Sequence, residues 1–182
     1  MRIIAAGALL LGQLAAQALG GGSGAGPGGL SAWIWPLSGP DGGPPAVVRP
    51  FQPPAHRWDA GHRGLDLEIT PTAPDLVRAA AAGRVTFAGT LFGRGVITIS
   101  HGPDPTGSGA LRTSYEPVTP VVKVGDQVTR GQVIGELQPG HCADRPCLHW
   151  GLLTGGGRRI RYYDPSILVG LGQVRLEPVR SR

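Results

Sequence analysis

Lysine is almost missing from this chain: of 17 basic residues, Lys123 alone is a lysine and the other sixteen are arginines. Aromatic residues are also scarce, at 5%. The arginines are scattered except at Arg158, Arg159 and Arg161, so no aromatic-interleaved basic patch forms and nucleic acid is not expected as a partner. A net charge of +5 carried by arginine still suits acidic polymers, because guanidinium holds carboxylate or phosphate with two parallel hydrogen bonds. Long apolar runs are lacking beyond the N-terminus. Long helices are discouraged by 31 glycines and 18 prolines, which shorten regular elements and favour turns.

What is present begins with residues 1–19, which read as a secretory signal: Arg2 for the positive start, Ile3 to Leu14 for the apolar stretch, and Ala16-Gln17-Ala18 as a small-x-small cleavage site. Broken by Gln13 and Gln17, the stretch falls short of the roughly 20 residues that span a bilayer, so cleavage is expected and no stable membrane anchor afterwards. No cysteine follows it, which argues against a lipid-anchored form. The mature protein is expected in the cell envelope or outside the cell. In such an oxidising place Cys142 and Cys147 are expected to form a disulfide; as free thiols, Cys147 could instead become a metal ligand.

Residues 20–54 read as a flexible Gly/Pro-rich segment, with Gly20 to Gly29 as spacer and seven prolines between Pro36 and Pro54. Between these lie Trp33 and Trp35, which pack on the domain or on a ligand. Residues 55–170 carry short β-branched runs divided by glycine: Arg84 to Ala88, Gly95 to Ser100, Leu111 to Tyr115, Val121 to Val124, Gln132 to Leu137 and Leu148 to Leu153. These runs predict an all-β domain, a compact two-sheet β-sandwich or barrel-sandwich hybrid with tight glycine turns. Asp75 to Ala82 is the one helical candidate, and residues 171–182 form a tail. With 41% hydrophobic residues, the chain can bury the core of one such domain.

The chemistry-bearing residues are His62 and Asp66, in Gly61-His62-Arg63-Gly64-Leu65-Asp66-Leu67, and the distant His149 in Cys147-Leu148-His149-Trp150-Gly151. Two imidazoles and a carboxylate are the donors of a zinc ion that keeps one position open for solvent. In an extended segment His62 and Asp66 share a face, with Gly64 leaving room between them; Cys147 and His149 share another, with Leu148 and Trp150 turned to the core. The bland alternative is a His62 to Asp66 pair bracing a hairpin, with His149 buried by its neighbours.

The glycine-spaced segment Val124-Gly125-Asp126-Gln127-Val128-Thr129-Arg130-Gly131-Gln132-Val133-Ile134-Gly135 predicts successive tight turns, each glycine supplying positive φ. Lipoyl-like carrier folds share that pattern, but a carrier needs its lysine at a hairpin tip and Lys123 precedes the first glycine.

Taken with Arg78 to Val85, Gly95 to Gly102, the Gly-Asp-x-Val-x-x-Gly-Gln segment and Tyr163-Asp164-Pro165, the ligand motifs make His56 to Leu168 resemble the lysostaphin-like zinc peptidases of bacterial cell walls. The resemblance implies a two-sheet β domain whose zinc, held here by His62, Asp66 and His149, activates water against a peptide carbonyl in peptidoglycan cross-links. It also exposes two departures. The family has a catalytic histidine two residues before the last ligand, where this chain has Cys147. It has another two residues after a strand tyrosine, where this chain reads Tyr115-Glu116-Pro117. Substitutes would be Tyr115 first and His141 second, with Glu116 and His101 behind them; His56 reads as a surface histidine. The alternative is a catalytically inactive relative that binds peptidoglycan or activates a partner hydrolase.

Overall fold

The computed structural model describes residues 33–171, apart from residues 57, 70–75, 106, 108 and 144. The expected signal, the Gly20 to Gly29 spacer and nearly all of the expected tail lie outside the described residues. No helix among the described residues is long and apolar enough to cross a membrane.

The described residues are almost entirely β, in two antiparallel sheets. The large sheet runs in the order β1 (Val47–Arg49), β2 (Leu65–Glu68), β10 (Cys147–Thr154), β6 (Ala110–Glu116), β5 (Arg94–Pro103), β4 (Gly83–Leu91) and β8 (Gln127–Val128), with β11 (Arg161–Tyr163) also paired to β10. The small sheet holds β3 (Leu76–Arg78), β9 (Val133–Leu137) and β7 (Val118–Pro120) in the order β3-β9-β7.

Alternation along the central strands decides what each face carries. Trp150 lies opposite Leu65 on β2 and Tyr115 on β6, and Tyr115 opposite Ile97 on β5, forming one buried apolar row across four strands. The small sheet adds Val77, Val118, Ile134 and Leu137 to the same core. One residue along, the row reverses face and chemistry: Asp66, His149 and Glu116 stand side by side on β2, β10 and β6. The row that carries the candidate ligands is thus the neighbour of the best-buried one.

Three expectations are corrected. The helix expected over Asp75 to Ala82 is absent from its described residues, 76–82: Leu76–Arg78 pairs with β9, and Ala79 and Ala80 are fully buried. Strand pairing and burial override the helix propensity of alanine. Val121 to Val124 is not a strand; Val121 and Val124 are exposed, and pairing falls on Val118–Pro120 instead. Residues 33–54 are not a loose approach, because Leu37 is buried in the core, Trp35 packs at a tilt against Trp150 with ring centroids 5.7 Å apart, and β1 pairs with β2. Of the spaced glycines, Gly125 and Gly131 do adopt positive φ, at 98° and 81°. Gly135 serves otherwise: inside β9, a Cβ there would strike the Thr119 carbonyl.

Candidate metal centre

His62 is not on the strand that carries Asp66. It forms an isolated bridge with Gln52, each backbone N–H donating to the other's carbonyl at 2.9 and 2.7 Å, and the chain then turns through Arg63-Gly64 into β2. The expected shared face of one strand is therefore replaced by a bridge and a strand, with the same result. His62 Nε2 stands 2.9 Å from Asp66 Oδ1, His149 Nδ1 stands 2.9 Å from it, and the two ring nitrogens are 3.0 Å apart. Gly64 leaves room, though for a side chain: a Cβ there would lie 2.7 Å from His149 Nε2 and 2.5 Å from the Trp150 carbonyl.

The donor chemistry fits a cation. His62 Nδ1 is 2.7 Å from the Pro50 carbonyl, which can only accept, so Nδ1 carries a proton, and whenever the ring is neutral its Nε2 lone pair faces Asp66. A lone pair facing a carboxylate oxygen is repulsive until a positive charge stands between them. Such a carbonyl contact is also the usual way a ligating histidine is oriented. Donor atoms about 2.0–2.1 Å from a tetrahedral zinc ion would lie about 3.3 Å from one another, close to the separations seen here. Burial opposes the charged form of Asp66, but hydrogen bonds from His141 and His149 outweigh it and hold the carboxyl well below the usual carboxylate range. Asp66 is thus an anion, buried to 2% exposure, with three imidazoles around it.

The third imidazole is His141, whose Nε2 lies 3.0 Å from Asp66 Oδ1. Ligand atoms of His62, Asp66, His141 and His149 all fall within 4.8 Å of one another. A depression lined by Val48, Arg49, Asp66, His141, Cys142 and Arg145 opens the cluster to solvent. Cys142 and Cys147 are joined in the expected disulfide, with Cα atoms 5.8 Å apart, so Cys147 is not a thiolate ligand. The disulfide and an Arg145 to Glu68 ion pair of 2.8 Å fasten the loop to β10 and β2.

Tyr115 does not reach this site. It belongs to the core row, is fully buried, and accepts a hydrogen bond from the Ala80 N–H at 3.1 Å, with the Thr113 hydroxyl 2.8 Å away. Burial pushes its phenol up to about 12, its contacts with the Thr113 hydroxyl and the Ala80 N–H offsetting only part of that. A phenol so held offers nothing to a substrate carbonyl. Glu116 lies on the site face beside His149. His101 is structural: Nδ1 donates to the Ala82 carbonyl at 2.8 Å, Nε2 accepts from Thr113 at 2.8 Å, and Trp33 packs edge-on at 4.7 Å. His56 is at the surface, paired with Asp59 at 2.8 Å.

Proteins from Mycobacterium tuberculosis and Mycobacterium bovis, neither with an assigned function, are each 44% identical over 149 residues, covering 81% of this chain and 55% of theirs. The chain spans about half the length of these curated relatives. Among solved structures, the catalytic domain of the antimicrobial peptidase lysostaphin from Staphylococcus simulans aligns with TM-score 0.54 and 22% identity, over 69% of this chain and 92% of that one. A zinc containing peptidase from Vibrio cholerae aligns with TM-score 0.54 and 20% identity, over 80% of this chain and 41% of that one. At those identities the likeness is one of fold. The model of Peptidase family M23 matches residues 60–161, more than half of the chain and a span that includes His62, Asp66 and His149. The chain belongs to Peptidase family M23.

Proposed function

We propose that this protein is an exported zinc peptidase of the bacterial cell wall, binding one zinc ion through His62, Asp66 and His149 and acting on peptide cross-links of peptidoglycan. The observation that carries the reading is the convergence of His62 Nε2 and His149 Nδ1 on one oxygen of a buried, anionic Asp66, each at 2.9 Å. When bound, zinc supplies an acidified water and polarises the carbonyl to be attacked. The chain's residues do the rest: Pro50 orients His62, Asp66 offsets the ion's charge, and the depression beside Arg49 and His141 admits an extended peptide.

A second reading, a relative that binds peptidoglycan or activates a partner hydrolase without turnover, is favoured by one observation. Both positions where the family carries a catalytic histidine are chemically disabled: Cys147 is locked in a disulfide, and Pro117 has no ionisable group.

Digestion of purified sacculi separates the two. The peptidase releases soluble fragments, loses release on chelation, regains it with zinc, and is weakened about 100-fold or more by His149→Ala, since even outer-shell changes at such sites cost 10–100-fold. Release that persists undiminished in His149→Ala rejects the proposed site. Cosedimentation with sacculi and no fragments selects the binder.

A further inference from the structure

We infer that His141 serves this site as a hydrogen-bond donor to the substrate carbonyl, not as a fourth metal ligand, and that the disulfide at Cys147 holds it there in place of the missing histidine. The inference rests on the metal site proposed above. Position alone leaves two roles open. His141 Nε2 is 3.0 Å from Asp66 Oδ1 and its ring centroid is 5.2 Å from that of His149, close enough to ligate or to stand alongside. The choice decides the chemistry, because four protein donors around zinc close the site whereas three leave a position for solvent and substrate.

The tautomer separates the roles. Arg94 Nη1 lies 3.2 Å from His141 Nδ1. A guanidinium donates and never accepts, so Nδ1 must present its lone pair and the ring proton belongs on Nε2, the nitrogen facing Asp66. That is the reverse of His62, where the Pro50 carbonyl puts the proton on Nδ1 and frees Nε2 to ligate. Ligating imidazoles turn their second nitrogen to a carboxylate, carbonyl or water. A cation at that nitrogen suits a donor instead. An N–H at this point lies within reach of whatever fills the open position, since all four donor atoms are within 4.8 Å of one another.

Delivery is built into the chain. Cys142 follows His141 directly, and its disulfide partner Cys147 sits in β10 two residues before His149. The cysteine that displaced one histidine is thus the anchor that imports another from a neighbouring loop. A preorganised donor aimed at the oxyanion is worth about 10²–10³ in turnover.

The test uses the full mature chain loaded with Zn2+ or Co2+. His141→Ala should keep the Co2+ absorption spectrum and hold metal affinity within about threefold, well inside the 10–100-fold lost with outer-shell partners, while release of sacculus fragments falls about 100-fold. His141→Gln, which retains an N–H donor, should recover part of that loss. In 15N spectra of the zinc form, His141 should show the Nε2–H tautomer, and Arg94→Ala, a change at a positioning residue, should shift it toward Nδ1–H. A changed Co2+ spectrum or affinity lost more than tenfold in His141→Ala makes it a ligand and overturns the inference. So does undiminished fragment release by His141→Ala, or a metal-loaded wild type that releases none. A wild type that binds no metal overturns the underlying site itself.

Discussion

Gly64 carries no functional group, yet the site's geometry passes through it. Its missing Cβ is the space taken by the His149 ring and the Trp150 carbonyl. Gly64→Ala should therefore push His149 off Asp66, with metal affinity falling at least tenfold in a chelator-competition titration and stability by about 1–3 kcal/mol, the usual cost of overpacking. His101 makes a different prediction. Burial lowers its pKa from the ordinary 6.5, only partly countered by its bond to Ala82, so the folded protein holds it neutral. The unfolded chain then binds more protons in acid. Its contribution to stability is complete above pH 6.5 and shrinks as pH falls from there toward the lower folded value. Urea unfolding at pH 8 and pH 5 should show a loss in the wild type that is smaller in His101→Gln; equal losses would remove His101 as the cause.

At the scale of elements, β10 does most of the positioning, offering Trp150 and Leu148 to the core and Cys147 and His149 to the other face. That much was legible in the sequence, because strand parity and ligand chemistry are local. Where pairing partners mattered, local reading ran out. The bridge that holds His62 depends on Gln52, which has no motif, and the place of Tyr115 follows from its register against Trp150, not from its hydroxyl. Residues 33–54 looked loose because proline and glycine mark turns, while the packing of Trp35 and Leu37 is visible only in three dimensions. His141 was legible only as a histidine beside cysteines; the ion pair and disulfide that fasten its loop bring it to Asp66. Opening the disulfide by Cys142→Ser with Cys147→Ser should cost about 2 kcal/mol in chemical denaturation, as expected for so short a loop. An unchanged midpoint would mean that the remaining contacts hold the loop unaided.

For the molecule as a whole, the N-terminal approach and the candidate metal site are one structure. The Pro50 carbonyl fixes the His62 tautomer, Gln52 holds the His62 backbone, and Trp35 covers Trp150 directly behind His149. A shortened chain beginning at residue 55, where sequence patterning alone draws the domain edge, should bind zinc at least 10-fold more weakly than one beginning at residue 33, as loss of second-shell support predicts. It should also melt at lower temperature; equal affinity and melting would show that the approach is dispensable. The adjacency of the apolar row and the ligand row has a further practical meaning. Sliding β10 by a single residue would carry the indole outward and the imidazole inward, taking His149 away from Asp66. If the proposed site takes its ion, bound metal per mole reports the fraction of a preparation with β10 in this register, and can grade refolded material without an assay of turnover.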